Sequence, residues 1–274
     1  MQASPIKVAI LDLNNNHPNQ GLRCIKELVE NHPEPLEWQI FDVRHKLEIP
    51  DTSFDIYISS GGPDSPLENG VGEQNFLNLI DELWKLNQSG LEPKKQFFFV
   101  CHSFQIACRY FKIGQIKPRR SKSFGIFPVH KEVAGLTDPL LKHLPDPFYA
   151  LDFRDWQIIK PNKNRLEELG AKVLCKEKIR PHIRLERAIM GIRFSEDWVG
   201  FQFHPEADPE GIATYFQTEE KKASVVEVYG EQKFDAIIEG LEDPNQIPLT
   251  YNTIIPMFIT DAIKRVRKAE PAIS

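Results

Sequence analysis

Three residues of this chain could perform nucleophilic chemistry together: Cys101, His204 and Glu206. Cys101 closes the apolar run QFFFVC and opens the helix-like stretch SFQIACRYF. A sharp strand-to-helix turn lifts a side chain out of the core. A thiol at a helix N-terminus also meets unpaired backbone N–H groups, which favour the thiolate. Buried cysteines serve equally as small hydrophobes, the role expected of Cys108. A nucleophilic cysteine needs a base, and the base needs an orienting group. The segment DWVGFQFHPE supplies both. Val199, Phe201 and Phe203 alternate along a strand expected to end at His204, where Pro205 removes a donor and stops the ladder. Glu206 then lies close enough to accept from the second imidazole nitrogen. A third segment, YISSGGPDS, ends a strand on Gly61, Gly62 and Pro63. Without a Cβ, glycine lets a backbone N–H approach a ligand closely. The N–H groups of Gly62 and His102 are the expected donors of an oxyanion hole.

The elements that must position these residues follow from hydrophobic periodicity. KVAILDL, LEWQIFDV, FDIYISSGGP and QFFFVC read as strands of a parallel sheet buried on both faces. QGLRCIKELVEN carries Leu22, Ile25, Leu28 and Val29 at helical spacing, and EQNFLNLIDELWKLNQ carries Phe76, Leu79, Ile80 and Leu83. This alternation predicts a doubly wound, mostly parallel α/β sheet of flavodoxin-like type, with sites at the carboxyl ends of its strands. From about residue 122 the pattern becomes short strands without long helices between them, so an antiparallel extension of the sheet is expected. The basic run KPRRSK at 117–122 is expected to be a solvated loop, or else a docking or anion site. Beyond DPEGIATYFQ lie charged, turn-rich segments and a final amphipathic helix bearing Ile255, Phe258, Ile259 and Ile263. The predicted organisation is a catalytic unit over 1–217 and a helical extension over 218–274 packed on it. That last helix could alternatively present a homodimer or partner surface.

Composition narrows the function classes. A net charge of −5 argues against a general nucleic-acid binder. No run approaches the roughly 20 apolar residues that a membrane helix requires, and no signal-peptide pattern opens the chain. The four cysteines, at 24, 101, 108 and 175, have neither zinc-ligand spacing nor disulfide-framework density. Free thiols in a cytoplasmic setting are expected, with no metal and no cofactor.

In three segments the chain resembles the class I, triad-type glutamine amidotransferases, and in particular stand-alone GMP-synthase-like amidotransferase domains. GFQFHPE matches the histidine motif, SGGP the oxyanion loop, and VCHSFQ the nucleophile motif at Cys101 and Gln105. The resemblance covers about residues 5–217. It implies a Cys101–His204–Glu206 triad that hydrolyses the side-chain amide of glutamine through a γ-glutamyl thioester and releases ammonia. Gly61, Gln105, Asp152 and Phe153 are expected to bind the substrate. A separate ammonia-accepting synthetase is the implied partner, since no G-x-x-x-x-G-K-[ST] loop is present.

The chain departs from the family pattern in two places. Phe99 and Ser103 occupy elbow positions where the family usually has glycine, so the elbow must be slightly remodelled, with Phe99 needing room from the flanking helices. Asp152 and Phe153 replace a Ser-His-type segment lining the glutamine pocket. A γ-glutamyl peptidase or hydrolase acting on a larger γ-glutamyl compound is therefore the alternative activity, and a non-catalytic regulatory module the alternative of another class.

Overall fold

The computed structural model describes residues 4–182 and 185–269. The first half alternates as the periodicity predicts: β1 (Ile6–Asp12), α1 (Gln20–Glu30), β2 (Leu36–Asp42), β3 (Ile56–Ser59), α2 (Val71–Gln88), β4 (Gln96–Val100) and α3 (His102–Tyr110). The second half holds β5 (Gln115–Lys131), α4 (Val133–Thr137), β6 (Phe148–Ile159), α5 (Lys163–Leu169), β7 (Lys172–Glu177), β8 (Ile189–Arg193) and β9 (Trp198–Phe201). Five helices close the described chain: α6 (Pro209–Phe216), α7 (Glu219–Tyr229), α8 (Glu231–Glu242), α9 (Ile247–Tyr251) and α10 (Ile254–Ala269).

The nine strands among the described residues form one sheet in the order β2-β1-β3-β4-β9-β8-β7-β5-β6. β2, β1, β3, β4 and β9 run parallel, while every pairing from β9 outward to β6 is antiparallel. The fold is thus a doubly wound α/β sheet with an antiparallel arm. Period-2 alternation divides the core between its faces. Along β4, Phe97 and Phe99 pack with α2 and α3, while Phe98 and Val100 face α1 and α10. Phe258 of α10 sets its ring 5.0 Å from that of Phe98. A third apolar cluster, including Leu151, Phe216, Phe234 and Ile237, joins α6 and α8 to the arm.

Three local expectations are corrected. KPRRSK is not a loop: it lies inside β5, with a register shift between Pro118 and Ser123, and although its other five residues are exposed, as expected, the Arg119 side chain is largely buried. The charged segments after residue 217 are helical rather than turn-rich, because their buried apolar positions, Val225, Phe234, Ile237 and Leu241, are spaced to meet one cluster with α6, α9 and the arm. β9 ends at Phe201, three residues before the strand end expected at His204, although Phe203 stays fully buried. Residues 270–274 of the predicted extension, and 1–3 of the first unit, lie outside the described residues.

Candidate active site

β4 and β9 pair in parallel, which brings the thiol and the imidazole to adjacent strand ends although 103 positions separate them. Cys101 sits at φ 49 and ψ −99, between the last residue of β4 and the first of α3. A non-glycine residue with positive φ is strained, and such strain persists only where its surroundings hold it. Here the Cys101 N–H donates to the Phe201 carbonyl at 2.8 Å, and the Gln105 N–H donates to the Cys101 carbonyl at 3.0 Å. Ser103 adds a clamp: its Oγ accepts from the Val100 N–H at 2.9 Å and lies 3.2 Å from the Ser59 carbonyl, which ties the elbow to β3. Glycine at 103 could not make these bonds.

Phe99 finds its room in the neighbouring strand rather than among the helices. Phe99 pairs with Gly200, and a Cβ at Gly200 would meet the Phe99 Cβ at 2.8 Å and the Phe104 ring at 2.9 Å. The space that an elbow glycine would leave on β4 is supplied from β9.

His204 stands with its Nδ1 2.7 Å from Oε1 of Glu206. Burial alone would lower the imidazole's pKa, but the Glu206 carboxylate and the Cys101 thiol within hydrogen-bonding reach outweigh it. They hold the pKa well above the usual histidine range. Glu206 is buried against the first turn of α1, where a Cβ on Gly21 would come 2.7 Å from its Oε1. That helix end carries partial positive charge, which offsets part of the cost of burying a carboxylate.

The Gly61–Gly62 turn closes on the same point. A Cβ at Gly61 would lie 3.1 Å from His204 Cε1 and 3.5 Å from Cys101 Cβ. One at Gly62 would strike the Leu13 carbonyl oxygen at 2.4 Å and approach the His102 ring at 3.3 Å. At Gly62 the backbone of Leu13 leaves no room for a side chain, and at Gly61 a Cβ would need the imidazole to give way. The His102 imidazole is pushed down to about 3 by burial and by the Arg44 charge. It is therefore uncharged and brings no positive charge to the site.

Gln105 and Gln202 form a relay under the thiol. Gln105 Nε2 donates to Gln202 Oε1 at 3.0 Å and reaches the Trp156 carbonyl at 3.5 Å, while Gln202 Nε2 lies 3.7 Å from Cys101 Sγ. Gln202 escaped the sequence reading. Its signal was a single amide amid the apolar residues of VGFQFH.

Asp152 and Phe153, grouped by the sequence, are separated by strand alternation. Phe153 turns toward His204, with ring centroids 6.2 Å apart, and its carbonyl oxygen lies 3.8 Å from Cys101 Sγ. Asp152 points to the opposite face of β6, accepting from Ser123 Oγ at 2.7 Å and from Arg154 Nε at 3.0 Å. Its carboxylate is consumed by these partners. Beside His204 opens a cavity of about 300 Å³ walled by Phe124, Phe153, Ile212 and Phe216, with Lys122 and Lys221 at its lining. Among the described residues no cluster of His, Cys, Asp or Glu is suited to hold a metal ion, and no helix is long and apolar enough to cross a membrane.

No protein-family model matches the chain, and no curated protein matches it in sequence. Solved structures do match. A glutamine amidotransferase from Thermotoga maritima superposes with a TM-score of 0.69 at 13% identity, over 96% of this chain and 100% of that one. A glutamine amidotransferase from Methylobacillus flagellatus gives 0.67 at 13% identity, over 97% and 96% of the two chains. The glutaminase domain of Trypanosoma brucei CTPS, solved with bound acivicin, gives 0.57 at 9% identity, over 98% and 96%. The fold is that of the class I glutamine amidotransferases.

Proposed function

We propose that this protein hydrolyses the side-chain amide of glutamine through a thioester on Cys101. The observation that carries the reading is the strained Cys101 elbow beside an imidazole whose Nδ1 is held 2.7 Å from Glu206. In this reading the Cys101 sulfur attacks the γ-carboxamide carbon, and the oxyanion is met by the N–H groups of Gly62 and His102. His204 passes the thiol proton to the departing ammonia. It then activates the water that cleaves the thioester. Glu206 orients the ring and stabilises its charged form. The Gln202 amide beneath the sulfur keeps Gln105 aimed at the substrate side, with Gly61 leaving space for the substrate. Residues 1–217 would form the catalytic unit, and 218–274 a helical extension packed on it. The ammonia would go to a separate acceptor enzyme. Ammonia release from L-glutamine, measured beside a Cys101→Ala chain, tests the reading: release that survives the substitution would overturn it.

The charge on His204 gives a pH prediction. The neighbouring carboxylate raises the imidazole's pKa, so the imidazolium needed as general acid persists beyond neutral pH and is lost only on the alkaline side. Glu206→Gln keeps a hydrogen-bond acceptor but removes the charge. It is expected to move the alkaline limb of the kcat profile to lower pH, with kcat lowered about tenfold or more. An unmoved limb would show that Glu206 does not set this titration.

The cavity at His204 supports a second reading, in which the leaving group is larger than ammonia. The leaving amine takes its proton from His204, so it must depart on the imidazole side, where the aromatic wall of Phe124, Phe153 and Phe216 stands. L-γ-glutamyl-p-nitroanilide is then expected to give a higher kcat/KM than glutamine. Turnover of glutamine with an inert anilide would dismiss this second reading and leave the first intact.

A further inference from the structure

The antiparallel arm holds a cavity of about 530 Å³ that the proposed reaction does not use. Although the whole chain carries a net charge of −5, this cavity gathers positive charge. Arg119, Lys178 and Arg180 line it, together with the carboxylates of Asp152 and Glu177. Lys122 lines it too, but is paired with Asp155 at 3.1 Å. Arg154, with a side chain only 1% exposed, adds a fourth cation behind the wall.

Two carboxylates must therefore serve four cations. Glu177 is shared by Arg119 at 3.1 Å, Arg154 at 3.6 Å and Arg180. Asp152 already holds Arg154 and Ser123. Arg154 Nη2 is buried without a hydrogen-bond acceptor among the described residues. Burial, and then the charge of Arg154, push Arg119 down to about 10. Burial and the same arginines also hold Arg180 below its usual range. Like charges concentrated in a partly desolvated space are stabilised by an added anion. Phe127, Val129 and Met190 add an apolar surface to the lining, and Lys178 lies 4.4 Å over the Phe127 ring.

We propose that this cavity binds an organic dianion, a phosphate ester or a dicarboxylate. Its charged end would lie on Arg119, Lys178 and Arg180, and its body on Phe127, Val129 and Met190. Two charges match the surplus of two cations, and the volume exceeds what a bare phosphate needs. The cavity is one residue away from the side chain expected to hold the substrate. The Trp156 carbonyl lies 3.5 Å from both Arg154 Nη1 and Gln105 Nε2. The anion is thus either the distal end of an extended substrate or a separate effector.

Calorimetric titration of the full chain with phenyl phosphate and with succinate, against sodium chloride at matched ionic strength, tests the site. Saturable binding is expected for at least one of them. It should weaken at least about tenfold in Arg180→Ala and in Lys178→Glu. Both positions reach solvent, so neither variant depends on a repacked core. Binding to the Cys101→Ala chain should be unchanged, which separates this site from the amidase reading. If the ligand raises KM for glutamine alone, it occupies the substrate's distal space. If it changes kcat at saturating glutamine, it is an effector. No saturable binding of either compound, or binding unaltered in both variants, would overturn the proposal.

Discussion

Cys101→Gly is expected to abolish ammonia release from glutamine, as Cys101→Ala does, and yet to be the more stable of the two. Both substitutions remove the sulfur, so both lose the covalent step. Loss of the nucleophile alone typically lowers kcat on the order of 10⁴-fold or more. Their stabilities should differ because of the backbone. At most positions glycine is less stable than alanine by roughly 0.5–1 kcal/mol. At φ 49 and ψ −99 the order inverts. A non-glycine residue in such a region stores about 1–3 kcal/mol of strain, and glycine stores almost none. A net advantage of about 1 kcal/mol for glycine over alanine is expected in the urea midpoint. If alanine proves the more stable, the elbow is unstrained and its geometry is no evidence of catalytic purpose. If either variant still releases ammonia, the thioester reading fails whatever the stabilities are.

Gly200→Ala is expected to destabilise the protein by roughly 2 kcal/mol, within the usual range for overpacking a filled core. The new methyl would lie 2.8 Å from the Phe99 Cβ, 2.9 Å from the Phe104 ring and 3.1 Å from the Phe99 carbonyl oxygen. Two of these are backbone or backbone-anchored atoms, so neither can yield by a rotamer change. The strain falls on the β4–β9 pairing that holds the elbow, because the residue following Gly200 accepts the Cys101 N–H. Glutamine turnover should therefore fall by more than the unfolded fraction explains. A double-mutant cycle isolates the cause. Phe99→Gly opens a large void and is costly alone, but in that background Gly200→Ala should cost markedly less. Additive costs would show that Phe99 is not what Gly200 accommodates.

Much of the parallel half of the fold was legible, because each element there has a local signal. KVAILDL and QFFFVC are apolar runs bounded by turn residues, and the helix after Gln20 has its apolar residues on one face. The arm was less legible. β5 extends back through KPRRSK because Gln115–Pro118 pair with Trp156–Ile159, and Arg119 finds Glu177, a partner 58 positions away, neither of which a local pattern announces. Few residues of α7 and α8 are fully buried, and those few pack on α6, α9 and the outer strands. The reading of Asp152 and Phe153 as one pair overlooked strand alternation, which sends adjacent side chains to opposite faces.

At the site, the sequence by itself determined residue types and turn chemistry: a cysteine at a strand-to-helix junction, a histidine before a proline, a carboxylate two residues on, and a glycine pair at a strand end. These depend on neighbours in the chain, so local spacing reveals them. Only the tertiary structure decided what supports them. It placed Gly200 opposite Phe99, set the Gln202 amide between Gln105 and the thiol, and committed Asp152 to Ser123 and Arg154. Most of these contacts depend on strand order and register. A one-residue slip in either would exchange every partner across the pair, and strand order arises from burial summed over the whole sheet. The chemistry on offer is therefore written locally, while the geometry that tunes it comes from residues up to a hundred positions away.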